Sequence, residues 1–167
     1  LMILVITGLY VLTYSRANST VWLEGEKLQH NVSGEGSARI QPREEMKNFT
    51  MWTNSAQLLF KPATNGAAIT LNVPAEAAGP YKISTVVTRG PEYGRFAISV
   101  NGTTSTITRK VTEAAPGNPF TVSKQEAAVY DANTSRSSAA YGALPDRHVV
   151  DRLDLGTFNL AEGNNSI

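Results

Sequence analysis

Apolar and polar residues alternate with a period of two along most of this chain. After residue 20 no stretch keeps a helical 3.6-residue period through three turns. In "PYKISTVVT" the alternation puts Tyr81, Ile83, Thr85 and Val87 on one face, and in "RFAISV" it does the same for Phe96, Ile98 and Val100. "VWLEGEKL" (21–28) is a further strand. "SAQLLFK" (55–61) and "AAITLNV" (67–73) flank "PATNG", which predicts a hairpin with positive φ near Asn65-Gly66. Asn101-Gly102 is a strong two-residue hairpin signal and predicts that "TSTITRKV" returns beside "RFAISV". Residues 112–147 are rich in Pro, Gly, Ser, Ala and Asn with little periodicity, which predicts irregular loops of the kind that carry sites. Patterning resumes in "HVVDRLDLGTFNL" (148–160). About eight to ten short strands joined by turns predict an all-β, two-sheet antiparallel sandwich of jelly-roll type.

The two ends read differently. Leu1–Tyr14 is an uncharged apolar run, and Ala17-Asn18-Ser19 places small residues where a signal peptidase reads, so residues 1–19 predict an export signal and 20–167 the sandwich. The other reading of the run is an apolar first strand packed in the core. Export implies a secreted, periplasmic or cell-surface location. The closing "NSI" is too short to pair as a strand along its length, which predicts a final strand cut short.

Composition narrows the function classes. Charged residues are 17% of the chain and the net charge is +1 without a Lys/Arg block, so nothing resembles an electrostatic footprint for nucleic acid. There is no cysteine, which excludes disulfides and thiolate metal sites. The two histidines, His30 and His148, lie near no Gly-x-Ser-x-Gly turn and form no zinc motif. Glu44, Glu45, Asp146, Asp151 and Asp154 are the carboxylates that would have to meet in space for glycoside hydrolysis. No catalytic centre is expected within these residues.

Four segments, in order, carry a resemblance: "WLEGEKL", "AITLNVPAEAAGPYKISTVVTR", "YGRFAISVNGT" and "LDLGTFNLAEGNNSI". Together they resemble galactose-binding-like β-sandwiches, notably carbohydrate-binding module families 6 and 35 and the sandwich domains attached to bacterial polysaccharide-degrading enzymes. The resemblance spans residues 21–167 and rests mostly on turns and strands, so it speaks to fold before ligand. It implies a non-catalytic carbohydrate-binding accessory domain, with a polysaccharide or glycan as ligand and a neighbouring catalytic domain as partner. The alternatives are a spacer or interaction sandwich with no ligand of its own, and a domain lending a loop or carboxylate to a hydrolase site completed elsewhere.

The resemblance also implies two sets of residues. Glu24 and Glu26 match an acidic pair on the first strand that helps hold a structural Ca²⁺, and i, i+2 spacing would put both on one strand face. The other reading is two exposed carboxylates on an edge strand. Sugar binding needs aromatic faces in loops, and Trp52, Tyr93, Tyr130 and Tyr141 are the candidates, with Arg95, Arg89 and Glu92 as polar neighbours of Tyr93. Each ring has a core or rim reading beside the functional one. Trp22 and Tyr81 are assigned to structure by their strand positions.

Overall fold

The structure, a computed structural model, describes residues 4–6, 9–14, 19–46, 55–115, 118–134 and 148–167. It is all-β, with short 3-10 turns at Gly25–Lys27 and Arg43–Glu45. The strands β8 (Gly79–Arg89) and β15 (Val149–Leu160) form the centre of a six-stranded antiparallel sheet. Beyond β15 lie β12 (Ile107–Ala115) and β13 (Asn118–Ala127); beyond β8 lie β2 (Leu9–Tyr14) and β3 (Ser19–Glu24). Two three-stranded sheets accompany it. One contains β1 (Leu4–Ile6), β6 (Ala56–Pro62) and β5 (Gly36–Pro42), and the other β16 (Gly163–Ser166), β7 (Ala68–Ala75) and β4 (His30–Ser33).

The sheets share a core. Leu59 of β6 and Val73 and Ala75 of β7 cluster with Tyr81, Ile83 and Val87 of β8 and with Leu153, Leu155 and Leu160 of β15. This is the burial that alternation predicted for β8, and each fully buried aliphatic side chain contributes about 1.5–3 kcal/mol. In the run 95–100, Val100 is buried and Phe96 and Ile98 pack partly buried against the same core. The run is not one strand, however. It divides into β9 (Arg95–Phe96), paired with β14 (Tyr130–Asp131), and β10 (Ser99–Val100), paired with β11 (Thr103–Thr104). Asn101 and Gly102 take φ of 48° and 80°, the two positive values of a type I′ turn, so the turn forms where the dipeptide placed it, but only Thr103–Thr104 returns beside Ser99–Val100, and the following residues enter β12, which pairs with β13 and β15.

Pairing elsewhere departs from the sequential hairpins. "PATNG" does bend the chain, with Gly66 at φ 86°, but β6 and β7 do not pair with each other. Instead β5 pairs with β6 and β4 with β7, as one nested antiparallel ribbon that passes from one sheet to the other. The passage lies at Gly34 on one side and residues 63–67 on the other. Gly34 has φ 76°, and a Cβ there would lie 3.0 Å from Ala67 Cα, so only glycine fits the corner. A second nested ribbon joins β7 with β16 and β8 with β15. The loop expected over 112–147 is also shorter than its composition suggested, because β12 and β13 pair from Ile107↔Ala127 to Ala115↔Asn118.

The N-terminal apolar run supplies strands. β1 pairs with β6, and β2 pairs with β8 on one side and β3 on the other. β2 is thus an interior strand of the six-stranded sheet.

Candidate functional site

At one end of the six-stranded sheet the chain leaves β8 through "RGPEYG". Tyr93 N–H donates to Gly90 O at 3.2 Å, closing a turn with Pro91 second, the position its fixed φ favours. The segment after β14 docks on the same turn. Gly90 N–H donates to Ala132 O at 3.1 Å, and Thr134 N–H donates to Gly90 O at 3.0 Å. Asp131 Oδ1 accepts from Asn133 N–H at 3.0 Å and fixes that segment's first bend. Gly90 is held so closely that a Cβ would fall 2.7 Å from His148 Cδ2 and 2.9 Å from Tyr93 Cε1.

Beneath this turn lies a buried polar cluster. Asp151 Oδ2 accepts from Arg109 Nη1 at 2.8 Å, from Tyr130 Oη at 2.5 Å and, more loosely, from Arg89 Nη1 at 3.5 Å. Arg89 is 2% exposed and is the largest fully buried side chain among the described residues. The guanidinium carbons of Arg89 and Arg109 lie 5.9 and 5.8 Å from the Tyr130 ring centroid, and Phe96 meets that ring edge-on at 5.3 Å. Burial, then the neighbouring Asp151 charge, pushes the Tyr130 phenol far above its ordinary range, so it stays a hydrogen-bond donor.

Above the turn is a pocket of about 370 Å³ lined by Gln41, Met46, Leu59, Lys61, Pro91, Glu92, Tyr93 and His148. These residues arrive from β5 and its following turn, from β6, from the 90–94 turn and from the start of β15. Tyr93 meets His148 edge to face at 5.5 Å. Burial raises the Tyr93 phenol and lowers the His148 imidazole, so both rings are neutral at pH 7. The pocket thus offers an apolar wall beside one ammonium, one carboxylate, one amide and one neutral imidazole.

The residues expected from the sequence are dispersed. Tyr93 and Glu92 line the pocket. Arg95 turns away, bonds Asp131 at 2.9 Å and lines a different cleft. Tyr130 is no surface platform, since it is 6% exposed and ringed by the two arginines and Phe96. Trp52 and Tyr141 lie outside the described residues. Tyr81 is structural as assigned, buried with its hydroxyl donating to Ala77 O at 2.8 Å, whereas Trp22 on β3 is 52% exposed. Gln41, Lys61 and His148 escaped the sequence reading because they belong to three strands or strand ends far apart in the chain.

Glu24 ends β3 and Glu26 sits in the Gly25–Lys27 turn, so the pair does not occupy one strand face. Among the described residues no group of three or more His, Asp or Glu side chains is placed to hold a metal ion. Three of the carboxylates weighed for hydrolysis are engaged by cations. Asp151 sits in the buried cluster, Asp154 bonds the exposed Lys82 at 3.0 Å, and Glu45 bonds Arg39 Nη1 at 2.9 Å; Asp146 is outside the described residues. No protein-family model, curated protein or solved structure matches this chain.

Proposed function

We propose that this sandwich is a non-catalytic carbohydrate-binding domain and that its ligand enters the pocket beside Tyr93. The supporting observation is the convergence of an apolar wall (Met46, Leu59, Pro91, Tyr93) with Gln41, Lys61, Glu92 and His148 around about 370 Å³. A pyranose presents one C–H-rich face and a rim of hydroxyls, so it matches a wall of that kind bordered by fixed donors and acceptors. Lys61 donates, Glu92 accepts and neutral His148 carries one donor and one acceptor nitrogen, while the Gln41 oxygen already accepts from Gln57 Nε2 at 2.6 Å. A glycan chain attached to a larger polysaccharide, with a catalytic domain tethered to the same protein, would raise weak single-site binding through local concentration.

The test is an NMR titration of the whole chain with a panel of neutral mono- and oligosaccharides. Saturable shifts at Leu59, Tyr93 and His148 that weaken about ten-fold in Glu92→Ala support the reading, one lost charge-assisted hydrogen bond contributing about that much. A panel in which no sugar perturbs those residues refutes it.

A second reading, the interaction sandwich, has its own observation. Val21 and Trp22 are adjacent on the outermost strand β3 and are 39% and 52% exposed. A neighbouring hydrolase domain packed there would shield Trp22 from acrylamide quenching in a Trp52→Phe background, whereas sugar binding at Tyr93 leaves that quenching unchanged.

A further inference from the structure

We infer that Asn65 is a site of spontaneous covalent modification, its side-chain amide closing on the Gly66 nitrogen to give an isoaspartyl link, and that the fold withholds the same reaction from Asn101. The chain carries Asn-Gly at two places, Asn65-Gly66 and Asn101-Gly102. Both are turns with the glycine at positive φ, 86° and 80°. Asparagine before glycine is open to this chemistry because the attacking nitrogen belongs to a residue with no Cβ to shield it. The Gly66 nitrogen, having given its proton to base, bonds to Asn65 Cγ; the Cγ–Nδ2 bond breaks and ammonia leaves. Water then opens the cyclic imide at either carbonyl, giving aspartate by one route and, by the other, a main chain that runs through the side-chain carbonyl. Water enters and ammonia leaves, so the step needs no oxidant and no further reactant.

The two asparagines differ in how they are held. Asn65 and Gly66 are exposed at the corner formed by residues 63–67, and a Cβ on Gly66 would meet nothing within 4 Å. Among the described residues no hydrogen bond holds the Asn65 side chain, and its turn is closed only by Ala67 N–H to Thr64 O at 3.4 Å. Asn101 is tied to β16 instead. Its Nδ2 donates to Asn165 Oδ1 at 2.9 Å, its Oδ1 accepts from Ser166 N–H at 2.9 Å and from Ser166 Oγ at 3.4 Å, and its own N–H donates to Ser166 O at 2.8 Å. Asn165 is 4% exposed and is itself fixed by Ala161 and Gly163. The Asn101 amide swings onto the Gly102 nitrogen only by leaving both partners, whereas Asn65 has no such bonds to break.

The experiment incubates the whole chain at mildly alkaline pH below its melting temperature, beside a second sample unfolded in urea, and follows the Asn65 and Asn101 peptides by liquid chromatography and mass spectrometry. In the folded sample the Asn65 peptide should gain the mass of an NH₂-to-OH exchange and split into aspartyl and isoaspartyl forms. Asn101 should react at least about thirty-fold more slowly, the factor set by two hydrogen bonds of ordinary net strength. In urea the two sites should convert at similar rates, which assigns the difference to the fold. Conversion of Asn101 as fast as Asn65 in the folded chain overturns the inference. So does a folded Asn65 that stays intact over the time in which the unfolded one converts.

Discussion

Replacing Asp151 by alanine should be among the most damaging single substitutions in this protein. The carboxylate is the shared acceptor for Arg109 at 2.8 Å, Tyr130 at 2.5 Å and Arg89 at 3.5 Å. The side chains of Arg89 and Arg109 are 2% and 11% exposed, so water does not replace the lost counter-ion without local opening. Removing one partner of a buried pair costs about 3–5 kcal/mol, and the Tyr130 hydroxyl loses its acceptor as well. Domains of this size have total stabilities of about 5–15 kcal/mol, so Asp151→Ala should lower the melting temperature by roughly 10 °C or prevent folding.

The magnitude can be separated from mere truncation by a double-mutant cycle in urea. Asp151→Ala, Arg109→Ala and the double variant should show a coupling of about 1–3 kcal/mol, because once the carboxylate is gone the second loss removes a repelled charge. If the single variant costs under about 1 kcal/mol, or the coupling is below about 0.5 kcal/mol, the cluster is not the electrostatic keystone of this end of the sheet.

Other substitutions test other parts of the fold. Deleting residues 1–19 should abolish cooperative melting, because β2 is the strand that joins β3 to β8, and a truncated chain melting as the whole chain does would show that β2 is dispensable. Thr85→Val should raise stability by about 1 kcal/mol in denaturant unfolding, since it removes a buried hydroxyl that has no partner; a loss of similar size would mean that the hydroxyl is satisfied. Gly90→Ala should cost about 1–3 kcal/mol and shift the resonances of His148 and Tyr93, whose rings lie 2.7–2.9 Å from the new methyl; unchanged stability would show that both rings move aside freely. His148 has its folded pKa depressed by burial, so below its unfolded value of about 6.5 the unfolded chain binds the extra proton. Stability should therefore fall as the pH drops from 7 towards 5.5, and the slope should flatten in His148→Gln; an equal slope in the variant would assign the loss to other groups.

Local signals in the sequence reported local structure faithfully. Asn101-Gly102 names its own turn, because two consecutive positive φ angles are affordable to few other dipeptides, and the alternation in 81–87 names the buried face of β8. What alternation cannot name is the partner. "PATNG" announces a bend between two strands, and the bend exists, but β7 takes β4 and β16 as neighbours, the latter about ninety residues away. An apolar N-terminal run reads alike as a leader or an interior strand, and the pairing of β2 with β8 and β3 is not written in its own composition. The candidate site divides along the same line. Tyr93 and Glu92 line the pocket from the turn that Gly-Pro fixes; for Tyr130 the core reading holds over the sugar-platform one, and the sequence could not choose between them because its burial depends on Asp151, Arg89 and Arg109 from three other strands.

The pocket and the buried cluster share one structural element, and that constrains how a ligand can be held. Gly90 O accepts from Tyr93 N–H on the pocket side and from Thr134 N–H on the cluster side, while Arg89, the residue before it, reaches down to Asp151. The Tyr93 backbone cannot shift toward a ligand without disturbing the 90–93 turn, and the turn adjoins Arg89 directly. On the proposed reading, a pocket wall whose backbone is anchored in this way would lose little conformational entropy when a ligand arrives, so affinity would be set by contacts and not by ordering. It follows that Asp151→Asn, which keeps the size and one acceptor of the carboxylate, should weaken ligand binding at Tyr93 even at temperatures where the variant remains fully folded. Unaltered affinity in a folded Asp151→Asn protein would mean that the turn is held by Pro91 and its own backbone bonds alone.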